Sequence, residues 1–225
     1  MPTYPLEWDK QSQRLYETGV DRGVLYVMGD DGNYGAGVVW NGLTAVNEKP
    51  DGAEPNELYA DNIKYATLRS AETFGATIEA YMFPEEFYEC DGSKEVATGV
   101  YVGQQARKSF GFCYRTLVGN DSESYETFGY KLHLIYNATA SPSEKNFETV
   151  NDNPDAISMS WDIDTNPIPV PGGKPTSTIV IDSTKCDAAK LTSFESILYG
   201  TAGGAGVDPV PARLPLPDEV ISHFA

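Results

Sequence analysis

Residues 16–65, YETGVDRGVLYVMGDDGNYGAGVVWNGLTAVNEKPDGAEPNELYADNIKY, constrain the fold more than any other stretch, because short apolar runs alternate with dense Gly, Asn, Asp and Pro. The run Val24, Leu25, Tyr26, Val27, Met28 is β-branched and aromatic, which suits a pleated, half-buried strand. Gly29 to Asn33 then supply the residues that tolerate positive φ, as a chain reversal requires. Val38, Val39 and Trp40 read as the returning strand, and Asn41-Gly42 is a two-residue hairpin signal leading into a strand over 43–46. A β-meander opens the chain.

The second half carries the cleanest period of two. Phe110, Phe112 and Tyr114 alternate with Gly111, Cys113 and Arg115, and Leu132, Leu134 and Tyr136 alternate with Lys131, His133 and Ile135. Ile157, Met159, Trp161 and Ile163 alternate with Ser158, Ser160, Asp162 and Asp164, the pattern of a strand with one wet, acidic face. Further strands are expected over 63–68, 77–83 and 178–181, a short helix over 84–89 behind Pro84, and a proline-rich connector over 166–175. From Asp187 to Gly200 the period changes to helical, with Ala188, Leu191, Phe194, Ile197 and Leu198 on one stripe. The expected architecture is mainly β, a sandwich or barrel-like pair of sheets with one flanking helix. Residues 1–14 form an N-terminal arm anchored by Tyr4, Leu6 and Trp8, 15–200 the β domain, and 201–225 a flexible or partner-ordered tail.

The acidic balance, 33 Asp plus Glu against 16 Lys plus Arg for a formal charge of -17, has the wrong sign for sequence-specific nucleic-acid binding. Cys90, Cys113 and Cys186 are odd in number and far apart, which fits free thiols in a reducing compartment better than a disulfide framework or a zinc site. The N-terminus lacks the pattern of a signal peptide and no apolar run reaches membrane-spanning length, so the expectation is a soluble product made in the cytoplasm.

Catalytic chemistry finds little to use. The only histidines are His133, expected on the polar face of a strand in a surface or interface role, and His223 near the end of the tail. Asp162-x-Asp164-x-Asn166 starts like a calcium loop, but Pro167 and Gly173 occupy the positions of its turn glycine and bidentate glutamate. Residues 200–206 are glycine-rich without the Lys-Ser/Thr of a phosphate loop. The expectation is no enzyme, no cofactor and no metal. The arm, the polar loop over 50–56 and the tail suggest a chain whose extended segments are ordered by other subunits.

Five blocks, GVDRGVLYV (19–27), YGAGVVWNGLTAVNEKPDGAEPNELYADNIKY (34–65), EAYMFPEEFYECDG (79–92), GQQARKSFGFCYRTLVGND (103–121) and KLHLIYNATASPSEK (131–145), resemble the major tail tube proteins of long-tailed bacteriophages and prophages. The resemblance covers roughly residues 15–200. It implies a β-sandwich subunit of a virion tail, made and assembled in the host cytoplasm, forming hexameric rings that stack around a tape-measure protein. Distal tail and tail terminator proteins are then further partners, no membrane is involved, and double-stranded DNA passes through the channel. An acidic wall would let DNA slide where a basic one would hold it. On this reading Asp162 and Asp164 line the channel, and Glu48, Asp51, Glu54 and Asp61, in the loop over 48–61, contact the next ring. The alternative from another class is a soluble carbohydrate-binding β-sandwich, prompted by 14 Tyr, 3 Trp and the acidic turns.

Overall fold

The computed structural model describes residues 6–52, 54–122, 128–149, 156–204 and 208–225. In chain order the strands are β1 (Leu15–Val27), β2 (Val38–Trp40), β3 (Leu43–Glu48), β4 (Asp51–Gly52), β5 (Pro55–Ala60), β6 (Ile63–Arg69), β7 (Glu72–Thr73), β8 (Gly75–Ala80), β9 (Lys94–Ala97), β10 (Val100–Val102), β11 (Phe110–Asn120), β12 (Gly129–Ala140), β13 (Met159–Thr165) and β14 (Thr178–Asp182). A 3₁₀ turn occupies Glu85–Glu89, and two helices follow the last strand, α1 (Ala188–Tyr199) and α2 (Pro217–Phe224). The mainly β class expected from the sequence is what the chain adopts, as one large antiparallel sheet that does not close into a barrel.

The sheet runs β2-β1-β11-β12-β13-β8-β3, with β14 also on β12. Long strand β12 is its pivot. Lys131 to Ile135 pair with β14, whereas Ala138 to Ala140 pair with β13. Between these halves the register against β11 slips, and Asn137 takes φ 48°. Asparagine tolerates this left-handed conformation, and an extra residue in one strand bends the ladder sharply. Beyond the bend, β13, β8 and β3 fold over the face of β1 and β11.

This folding creates two cores. Between the folded halves lie Leu25, Trp40, Ile78, Phe87, Phe110, Phe112, Ile135, Trp161 and Ile163. Trp40 sits centrally, with ring centroids 4.6 Å from Phe87, 5.4 Å from Phe112 and 5.6 Å from Trp161, and its indole N–H donates to the Met82 carbonyl at 2.9 Å. On the opposite face Tyr26, Cys113, Leu132, Leu134 and Tyr136 meet Leu191, Phe194 and Leu198 of α1, together with Leu214 and Val220. Both faces of β11 and β12 are therefore buried, which explains why Gly111 and Cys113 are small where a solvated face would carry polar residues. Helix α1 starts where Asp187 accepts from the Ala189 and Lys190 amides, and stops at Gly200.

The segment expected to be mobile or partner-ordered instead packs on its own domain, over residues 208–225. Leu214 and Val220 are buried, the Tyr136 hydroxyl donates to the Pro215 carbonyl at 3.0 Å, and the Gly37 amide donates to Ala212. The physical reason is a close approach: a Cβ on Gly111 would lie 2.2 Å from Leu214 Cδ2, so the glycine opens the slot that Leu214 fills. Pro217 then starts α2 in its first turn. Among the described residues α2 is thus a helix the sequence did not predict, while the short helix expected over 84–89 is the 3₁₀ turn at Glu85–Glu89.

Candidate assembly surfaces

The segment read from sequence as a polar loop is a β-hairpin arm. Strands β3 and β8 continue past their mutual ladder through reciprocal backbone hydrogen bonds between Lys49 and Gly75, then through β4 with β7 and β5 with β6. At about 3.3 Å per residue the six residues of β5 span on the order of 20 Å. Gly52, at φ 86°, takes a conformation that other residues resist, and a Cβ there would lie 2.7 Å from the Ala71 carbonyl oxygen. The tip is Asp61-Asn62, both at positive φ (51° and 63°), the two-residue reversal whose backbone twist matches that of its strands.

Register divides the arm into two faces, since directly opposed residues share a side. The pairs Leu58 with Ala66, Ala60 with Ile63, and Asn56 with Leu68 make one side, and it is mostly apolar. Glu57 with Thr67, Tyr59 with Lys64, and Pro55 with Arg69 make the other. On that polar side Glu57 accepts from both the Tyr59 hydroxyl and the Lys64 ammonium, contacts that lower its carboxyl, with Lys64 the larger cause. Every residue of β5 is exposed, and on β6 only Ala66 is partly covered. Ile63 is 65% exposed and Leu68 54%. A lone two-stranded ribbon is marginal in water.

The acids assigned to ring contact occupy different environments. Asp51 and Glu54 lie exposed along the arm and Asp61 at its tip. Glu48, at the root, is exposed as well but has partners within the domain: it accepts from the Tyr114 hydroxyl at 2.6 Å and lies 3.4 Å from His133 Nδ1. These contacts, His133 first and Tyr114 next, hold its carboxyl below the usual range against a burial that would raise it. His133 itself is 8% exposed, not on a solvated face, because the fold of the sheet covers both sides of β12.

Asp162 and Asp164 sit where the alternation puts them, on the outward side of β13 opposite the buried Trp161 and Ile163. Asp162 accepts from Thr77 and lies 3.3 Å from Lys49, and both contacts lower its carboxyl, Thr77 first. Asp164 accepts from the Ser141 hydroxyl at 3.2 Å. The N-terminal segment is tied at Ser12, whose amide donates to Asp121 at 2.8 Å, while Leu6 and Trp8 stay exposed. Of the three tryptophans on which a sugar platform would rest, Trp40 and Trp161 are core residues. Sequence reading missed the arm because its reversal is Asp-Asn rather than Asn-Gly; the flanking LYA and IKYA segments were the available signal.

No family model matches the chain, and no curated protein matches its sequence. Among solved structures, a chain of "Cryo-EM structure of the anti-feeding prophage (AFP) baseplate, 6-fold symmetrised" aligns with 80% of this chain and 99% of its own length, at 6% identity and a TM-score of 0.38. At that score the two backbones diverge over much of their length, and no role transfers from one to the other.

Proposed function

We propose that this chain is the repeating structural subunit of a phage-type tail tube, in which six copies close a ring and rings stack around a tape-measure protein. The reading is supported above all by the ribbon of β5 and β6, an amphipathic hairpin that the described residues of the domain leave exposed. The five sequence blocks that resemble tail tube proteins support it from an independent direction. Covering Leu58, Ile63 and Leu68 on a neighbouring copy would contribute roughly 1.5–3 kcal/mol for each fully buried side chain before association costs. The subunit performs no chemistry and needs no cofactor in this role. It delivers a surface and a bore, with Asp162 and Asp164 turned toward passing double-stranded DNA and Asp51, Glu54 and Asp61 carried on the inter-ring arm. Its other contacts are the distal tail and terminator proteins, and its place is the virion tail, assembled in the host cytoplasm.

The test is negative-stain electron microscopy with analytical ultracentrifugation over a concentration series. Six-fold rings or hollow tubes are expected from the wild-type chain, and monomers from a Leu58→Asp, Ile63→Asp, Leu68→Asp variant with an unchanged circular dichroism spectrum. A wild-type chain that sediments as a monomer throughout, indistinguishable from that variant, would refute the proposal.

A further inference from the structure

Trp8 stands apart from the other two tryptophans. Trp40 and Trp161 are buried in the core, whereas Trp8 is 79% exposed and Leu6 beside it 58%. The segment that carries them is nevertheless tied to the domain. The Ser12 amide donates to Asp121 at 2.8 Å, the Asn120 side chain donates to the Ser12 carbonyl at 3.3 Å, and Arg14 donates to the Asp9 carbonyl at 2.7 Å. Trp8 is thus presented to solvent at the C-terminal end of β11, and an indole is the side chain that gains most from being covered by a partner.

A groove near the other end of the same strand is suited to such a group. The connector after β13 contributes Ile168, Pro169, Val170 and Pro171, and the start of α2 contributes Leu216 and Pro217, around a volume of about 570 Å³. Its frame is fixed: Ile168 and Thr176 exchange backbone hydrogen bonds at 2.9 and 3.0 Å, and Pro217 is buried. Among the described residues the one polar lining side chain is Asp218. An indole is a broad apolar ring with a single N–H donor at its edge, so aliphatic and proline walls with one carboxylate acceptor match it. The prolines lose no rotamer freedom when covered.

Reach decides which copy supplies the indole. Tyr136, which donates to Pro215, and Gly111, which Leu214 covers, put the groove beside the start of β11, whereas Trp8 is tied beside its end. From Gly111 to Asn120 the strand spans about 30 Å at about 3.3 Å per residue. Between Ser12 and Trp8 the backbone reaches at most about 14 Å. One chain therefore cannot fill its own groove. Charge selects this segment over the β5–β6 ribbon as the occupant. Residues 6–14 carry Glu7 and Asp9 against Lys10 and Arg14 and sum to zero, in a chain of formal charge -17. The ribbon's strand instead brings Asp51, Glu54 and Asp61 toward a groove whose own charge, Asp218, is also negative.

We infer that Trp8 of one copy inserts into the groove of residues 168–171 and 216–218 on a second copy, a head-to-tail contact separate from the ribbon. Donor and receiver lie at opposite ends of the molecule, so the contact is heterologous and passes from copy to copy. It follows from the fold alone and joins copies whether or not they build tubes.

In the full-length chain acrylamide reaches Trp8 but not the buried Trp40 and Trp161, so quenching reads Trp8. Across a concentration series that spans association, quenching is expected to fall several-fold and the emission to shift to shorter wavelength. Trp8→Ala is expected to weaken self-association in sedimentation about ten- to hundredfold, the loss of one large buried side chain. Leu216→Asp places a charge in the groove at a helix N-cap, where aspartate is favoured and the fold is kept, and Trp8 then stays quenchable at every concentration. A Trp8 that remains fully quenchable while the wild type forms rings or tubes overturns this contact and leaves the tube reading standing. Protection that persists in Leu216→Asp puts Trp8 on another surface and overturns the groove. A wild type that stays monomeric with Trp8 exposed overturns both.

Discussion

Replacing Leu214 by alanine tests whether the segment after α1 belongs to the domain. Leu214 is 5% exposed, fills the slot over Gly111, and lies between backbone contacts that tie Arg213 to Ile197 and Pro215 to Tyr136. A buried Leu→Ala change costs about 2–5 kcal/mol, combining lost transfer energy with the cavity left behind. For a domain of this size each kcal/mol moves Tm by about 2–4 °C, so a fall of roughly 4–20 °C is expected. Urea unfolding followed by tryptophan fluorescence reports it directly, since Trp40 and Trp161 are both core residues. Gly111→Ala provides a coupled check: alone it drives a methyl into Leu214, but in the Leu214→Ala background that clash is gone and the nearest contact is Tyr34 Cε1 at 3.1 Å. The two changes should therefore be strongly non-additive, with a coupling of about 0.5–3 kcal/mol. A Leu214→Ala chain within about 0.5 kcal/mol of wild type, with additive behaviour in the pair, would show that the segment is not part of the core and refute the packing argument.

Thiol labelling and acid titration test other parts of the fold. Burial pushes the Cys90 thiol up to about 12 and raises Cys113 further, whereas partly exposed Cys186 is raised less. At pH 7.5 a maleimide is expected to modify Cys186 alone, with the other two reacting only at the rate of unfolding; labelling of Cys113 in the native state would contradict the second core. Glu48 and Glu219 titrate low in the folded chain because of His133 and Arg213 respectively, and Glu17 does so because Lys131 and Thr116 outweigh a burial that alone would raise it. A lowered folded carboxyl contributes stability that is complete above the unfolded value, near 4.5, and lost as pH falls through the folded value. Urea midpoints are therefore expected to hold steady from pH 7 to about 5 and drop toward pH 3, and a midpoint unchanged at pH 3 would remove these pairs from the account.

What the sequence disclosed and what it concealed follow from the range of the interactions involved. Helix α1 was legible because its cap at Asp187, its apolar stripe and its stop at Gly200 are all local. The β13 alternation was legible because one face of that strand remains wet in the folded chain. Strands β11 and β12 hide their second buried face, because what covers Gly111 and Cys113 comes from residues about a hundred positions away. The same distance concealed the docked tail: Leu214 and Val220 are isolated apolar residues among prolines until the slot they fill exists. His133 reads as polar by period, and only the bend at Asn137, which brings β3 across β12, encloses it. The arm was half legible. Its strand over 63–68 was read, but its partner was taken for loop because proline and acids dominate residues 50–57.

The placement of charge finally distinguishes two ways in which the arm could engage another copy. The cations of the body are largely engaged with acids of the same chain, as in Lys49 with Asp162, Lys108 with Glu89, Lys131 with Glu17 and Arg213 with Glu219. On the arm, Lys64 is taken by Glu57, leaving Asp51, Glu54, Asp61 and Glu72 exposed against Arg69. Two copies, each of formal charge -17, thus bring like charge to like charge, and the attraction has to come from the Leu58, Ile63 and Leu68 side of the ribbon. Salt shortens the reach of the repulsion from about 30 Å at 0.01 M to about 8 Å at 0.15 M and leaves apolar burial almost untouched. Association measured by sedimentation is therefore expected to strengthen across that range. Weakening across it would mean that the acids of the arm find cationic partners on the neighbouring copy, and the apolar face would then not be the surface that docks.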